Sequence, residues 1–144
     1  MPIFIQIGHL SIERRTSLVD ADEAYGLLHT GSFGGDLSVC VSRSGRQISM
    51  TARRRIFFLN PDESVERSLT EADWTRLKKQ LETADFWALP EHHGETGLDG
   101  FDWTIEGRDV GRYHSSSCWC PYDGAFHELG SLLVEFSGLK IPDD

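Results

Sequence analysis

The stretch FDWTIEGRDVGRYHSSSCWC, residues 101–120, decides how this chain is read. In "FDWTIEG" (101–107) Phe101, Trp103 and Ile105 alternate with polar residues, the period of two expected of a strand with one buried face. "RDVG" (108–111) reads as a turn, and "RYHSSSCWC" (112–120) returns as the antiparallel partner. Directly after it the period changes to that of a helix. Asp123 is a good N-cap, and Phe126, Leu129, Leu132, Leu133 and Phe136 share one stripe. Gly138 then stands at the expected stop.

The same signals recur upstream. "DLSVCVS" (36–42) places Leu37, Val39 and Val41 on one face, "RSGR" (43–46) turns, and "QISMTARRRIFFL" (47–59) returns as a long strand. "PIFIQI" (2–7) and "IERRTSLV" (12–19) read as strands, while "HTGSFGGD" (29–36), "NPDE" (60–63) and "EHHGETGLDG" (91–100) read as loops or turns. A helix is expected from about Thr70, where Ser68 and Glu71 match a capping box and Thr70 can cap through its own hydroxyl. Trp74, Leu77, Leu81 and Ala84 form its apolar stripe, and Pro90 ends the "DFWALP" segment. The expected fold is therefore α+β, a single domain over residues 1–144. Its sheet is mainly antiparallel, and two principal helices, about 70–85 and 123–137, pack on one face. Strand order, and the structure of residues 8–35 beyond these fragments, do not follow from the pattern.

A chain of 144 residues buries roughly 70% of its unfolded surface and folds without a disulfide or metal. No run approaches the roughly 20 apolar residues of a membrane span, and "MPIFIQIGHLS" lacks the basic region and cleavage site of a signal peptide. Three cysteines, an odd number, do not suit a disulfide framework, so the cytoplasm is the expected compartment. The net charge of −9 argues against a nucleic-acid backbone as partner. Charge is uneven: residues 1–55 carry +2, with runs at Arg14–Arg15 and Arg53–Arg55, whereas residues 56–144 carry −11. An acidic face of this kind suits a protein partner with a basic surface.

The chemistry-bearing residues cluster around the same hairpin. His92, His93, Cys118 and Cys120 are candidate zinc ligands, since alternation would put Cys118 and Cys120 on one side of a strand, together with His114. A C-x-C pair is not the usual C-x2-C knuckle, and the two cysteines are equally readable as small buried groups beside Trp119. A redox dithiol favours C-x-x-C at a helix start, which this is not. Ser115–Ser117, His114 and Asp109 supply the residue types of a nucleophilic site, without a G-x-S-x-G elbow. Asp99, Asp102 and Glu106 supply carboxylates, without a calcium-loop pattern. No phosphate-cradling glycine motif occurs, and no cofactor is expected.

From Ser68 to about Leu139 the chain carries "FWALP", "GLDGFDWTIEG", "GRYH" and "ELGSLLVEFSGL" segments. In these it resembles a group of small uncharacterised bacterial proteins sharing FWxLP, GxDGxxWxxE and YH…WxP segments. The positions here are Gly97, Asp99, Gly100, Trp103, Glu106, Tyr113, His114, Trp119 and Pro121. The resemblance implies no activity, and the places of Cys118 and Cys120 are usually filled by other residue types in that group. The physical expectations for these positions are a Trp103–Trp119 pair across neighbouring strands and a buried Glu106–His114 ion pair. Asp99, Trp103, Glu106, Tyr113 and His114 are the candidate binding residues. Three functions stand open: an acidic protein-interaction domain, such as one of the immunity or inhibitor type; a small enzyme using Glu106 and His114 as acid and base; and a zinc-binding domain.

Overall fold

The computed structural model describes residues 21–31, 34–56, 62–95, 97 and 99–142. Seven strands form one sheet: β1 (Glu23–Gly31), β2 (Gly35–Ser44), β3 (Gln47–Ile56), β4 (Glu63–Ser68), β5 (His92–His93), β6 (Phe101–Asp109) and β7 (Arg112–Trp119). Their order is β4-β3-β2-β1-β6-β7-β5. Every pairing is antiparallel except β5 with β7. Among the described residues two α-helices, α1 (Glu71–Thr83) and α2 (Gly124–Ser137), complete an α+β fold. None of the described helices is long and apolar enough to cross a membrane.

Both helices pack on the same sheet face. Cross-strand partners share a face, so Tyr25, Leu27, Leu37, Val39, Val41, Met50, Trp103 and Ile105 project together. These meet Trp74, Leu77 and Leu81 of α1 and Leu129, Leu133 and Phe136 of α2 in one buried core. Packing is close enough to select glycine: a Cβ on Gly130 of α2 would lie 2.4 Å from the Trp103 ring, and one on Gly107 2.6 Å from Tyr25.

The two expected hairpins are present, each closed by a two-residue turn at Gly45–Arg46 and Val110–Gly111. Gly45 and Gly111 supply the positive φ that each turn needs (59° and 79°). The expected loop at 29–36 is narrower than its glycines suggest, because His29–Gly31 belong to β1 and Gly35–Asp36 to β2. The 91–100 loop contains β5, and Glu63, expected in a turn, opens β4. β3 is described only to Ile56, so Phe57–Leu59 of the expected strand lie outside the described residues, as do the expected strands at 2–7 and 12–19.

The first helix starts where the sequence puts it, with different partners. Thr70 Oγ1 accepts from the Asp73 N–H at 3.1 Å and Asp73 Oδ2 accepts from the Thr70 N–H at 3.0 Å, so the capping box is Thr70–Asp73. Ser68 remains in β4. At the other helix, Asp123 occupies the N-cap without a side-chain cap bond, and Gly138 takes the expected left-handed stop at φ 70°.

Candidate functional site

The β6–β7 hairpin carries most of the candidate residues, and its register sorts them between two faces. Asp109 faces Arg112 across the turn, so Glu106 faces Ser115, Trp103 faces Cys118 and Asp102 faces Trp119. Trp103, Ile105 and Gly107 lie on the helix side with Cys118, Ser116 and His114; Asp102, Thr104 and Glu106 lie on the other with Trp119, Ser117, Ser115 and Tyr113. The expected Glu106–His114 ion pair is therefore corrected: the two side chains leave opposite faces of the sheet. Trp103 and Trp119 are separated in the same way and do not form a cross-strand pair.

Each of these groups has a structural partner instead. The Tyr113 hydroxyl donates to Glu106 Oε2. His114 Nε2 donates to the Leu89 carbonyl at 2.7 Å, and Ser116 Oγ to the Pro90 carbonyl at 2.7 Å. The Ser117 N–H donates to the Glu91 carbonyl at 2.7 Å, and its hydroxyl bonds Thr104 at 2.8 Å. The histidine and the serine run thus strap the Leu89–His93 segment along β7. Asp109 is held by two guanidinium N–H bonds from Arg112, which keep its carboxyl below the usual range. Arg112 also lies 3.9 Å over the Trp87 ring. No nucleophile–base–orienter chain is assembled from these residues.

Trp103 has a role that the alternation alone does not reveal. Its indole N–H donates to Nδ1 of the buried His29 at 3.0 Å, and its ring stacks on His127 at 5.3 Å with planes 1° apart. Phe101 covers His29 from the side at 5.1 Å. This is a core network joining β1, β6 and α2, and Trp103 is not available to a ligand.

The candidate zinc ligands separate too. Neighbouring residues of β5 point oppositely, with His92 beside Ser117 and His93 beside Cys118. Cys120 lies past the strand end in a left-handed conformation (φ 48°), so it does not share the face of Cys118 by simple alternation. Its sulfur accepts from the Phe101 N–H at 3.4 Å. Among the described residues no three His, Cys, Asp or Glu side chains stand where they could hold a metal. Burial, then Asp102 and Cys120, push the Cys118 thiol up, and burial pushes His93 down.

One end of the molecule is different in kind. A cavity of about 610 Å³ opens there between the end of β7, the Gly94–Glu95 turn and the start of α2. Trp119, Tyr122, Phe126 and His93 supply rings to its wall, Glu95 and Asp123 supply carboxylates, and no Lys or Arg among the described residues lines it. Tyr122 is 75% exposed, rare for so large an apolar ring. Trp119 lies so close to the chain that a Cβ on Gly97 would meet it at 2.3 Å, and one on Gly100 at 3.1 Å. Asp99, an expected binding residue, is exposed in the bend beside this end.

The charge pattern agrees with the shape. No Lys or Arg occurs between Lys79 and Arg108, a span holding seven acids. Elsewhere some acids are neutralised: Glu71 by Arg43, Asp62 by Arg53, Glu63 by Arg54, Glu23 by Lys78, Asp109 by Arg112 and Glu135 by Arg76. Among the described residues Glu91, Glu95, Asp99, Asp102 and Asp123 make no ion pair. Asp102 is raised by burial, an effect only partly offset by His92. The signal was available in the sequence as the basic-free span; the cavity was not, because its wall sets the run 118–126 against residues 84–95, which only the fold brings together. No protein-family model, curated protein or solved structure matches this chain.

Proposed function

We propose that the protein is an acidic interaction module that captures a basic surface of a larger protein, in the manner of an immunity or inhibitor protein. The observation that carries this is the placing of Glu91, Glu95, Asp99, Asp102 and Asp123, none of them in an ion pair among the described residues, around the end of β7 and its cavity. Unpaired like charges at close range cost stability and favour a cationic partner that relieves the repulsion. They also steer that partner from a distance, which raises the association rate at low salt. The runner-up readings lose their geometry: Glu106 and His114 lie on opposite faces, and the four zinc candidates do not converge.

The test is native mass spectrometry on untagged protein from its own host, followed by association kinetics with the companion it reveals. Replacing Glu95, Asp99, Asp102 and Asp123 by their amides is expected to slow association at least tenfold at low salt and to flatten the salt dependence. Association that is insensitive to these four changes overturns the proposal.

A further inference from the structure

We infer that the 610 Å³ cavity is a socket for one arginine side chain of a basic peptide segment, an inference that rests on the proposed capture of a basic surface and names its anchor. Three properties of the wall select a guanidinium. First, it is aromatic: Trp119, Tyr122 and Phe126 line it, and a planar cation is attracted to the face of an aromatic ring as an aliphatic group is not. Second, the two charged side chains that line it, Glu95 and Asp123, are carboxylates able to accept paired N–H bonds. Third, those carboxylates have no internal cation to occupy them among the described residues.

The protein uses the same combination internally. Arg112 lies 3.9 Å over Trp87 while its Nε and Nη2 bond the two oxygens of Asp109. Ring below and carboxylate at the edge is the arrangement that a guanidinium fits and an ammonium does not reproduce, since the ammonium is compact and strongly hydrated. The cavity wall brings the same two residue types together, with no Lys or Arg among the described residues that line it.

One feature of the wall works against a cation. Gly124 and Ala125 at the start of α2 also line the cavity, and a helix N-terminus carries roughly half a positive charge. Asp123 sits at the N-cap without bonding the helix N–H groups, so its carboxylate is available to the cavity as well as to the dipole. Two full negative charges on the rim exceed the half charge of the dipole, which makes the balance favour a cation.

The experiment is isothermal titration of the full chain with hexa-arginine, hexa-lysine and acetate, alongside three variants. Tyr122→Leu keeps an apolar side chain at an exposed position and removes the ring. Glu95→Gln with Asp123→Asn removes the carboxylates. Glu71→Gln, on the far side of the molecule, controls for general loss of charge. Expected is saturable binding of hexa-arginine, several-fold tighter than hexa-lysine, and weakened about tenfold by Tyr122→Leu. The double variant is expected to weaken it at least as much, and Glu71→Gln to leave it within twofold. Equal binding of both peptides with no effect of Tyr122→Leu overturns the socket while leaving an acidic capture surface intact. Acetate that displaces hexa-arginine from the cavity, or no peptide binding at all, overturns the socket and, together with charge-insensitive association, the proposed function.

Discussion

Gly130 shows how a single hydrogen atom in place of a side chain is decided by its neighbour. In the middle of α2 an alanine would improve helix propensity by about 1 kcal/mol. Its Cβ would stand 2.4 and 2.5 Å from two atoms of the Trp103 ring. That ring cannot retreat, since it is stacked on His127 and bonded to His29. Overpacking of this kind costs about 1–3 kcal/mol, so the clash exceeds the propensity gain. Gly130→Ala is expected to lower the melting temperature, as differential scanning calorimetry would read; a rise would mean that the indole has room to shift. A sequence pattern places Gly130 on the buried stripe of α2 but cannot say which ring it meets. That depends on β6 lying beneath the helix.

At the scale of elements, the strand register carries the largest lesson. A four-residue turn at 108–111 and the two-residue turn at Val110–Gly111 differ in which residues face each other. A slip of one residue exchanges the faces of every side chain on a strand. Both turn lengths are even, however, so in either register Glu106 and His114 leave opposite faces, as do Trp103 and Trp119; only a turn of odd length would have put each pair on one face. The start of α1 offers a direct comparison of two candidate caps. Thr70→Ala removes the acceptor of the Asp73 N–H and is expected to cost about 1 kcal/mol in urea denaturation, whereas Ser68→Ala is expected to change stability by less than about 0.5 kcal/mol. Equal effects from both would return the cap to Ser68.

For the molecule as a whole, acidity acts through a few identified groups. Burial lowers His93, so the unfolded chain takes up a proton there as pH falls below about 6.5 while the folded chain resists. The folded state therefore loses stability through that window. Asp109, held down by Arg112, contributes stability above the ordinary carboxylate range and loses it as pH falls through its lowered value. Asp102, raised by burial, works in the opposite sense and is relieved when protonated. Against His93→Phe, which keeps a ring beside Phe126, the wild-type melting temperature is expected to fall progressively behind between pH 7.5 and pH 5. A gap that stays constant with pH would show that His93 does not titrate against folding.

The sequence by itself determined the helices and the two hairpins, because each rests on a local period and on turn residues within a few positions of one another. It determined the acidic span from Glu82 to Glu106, which is a matter of composition alone. Tertiary structure decided the rest. The central strand β1, with Ala24 and Tyr25 both fully buried, shows no clean alternation, since neighbours on opposite faces are shielded alike. β4 and β5, one charged and exposed and the other two residues long, exist only through their ladder bonds to β3 and β7. The cavity sets the continuous run 118–126, which already holds Trp119, Tyr122, Asp123 and Phe126, against His93–Glu95, and only the pairing of β5 with β7 brings the two sides together. Local periodicity encodes which way a side chain points along its own element; only packing fixes what it points at.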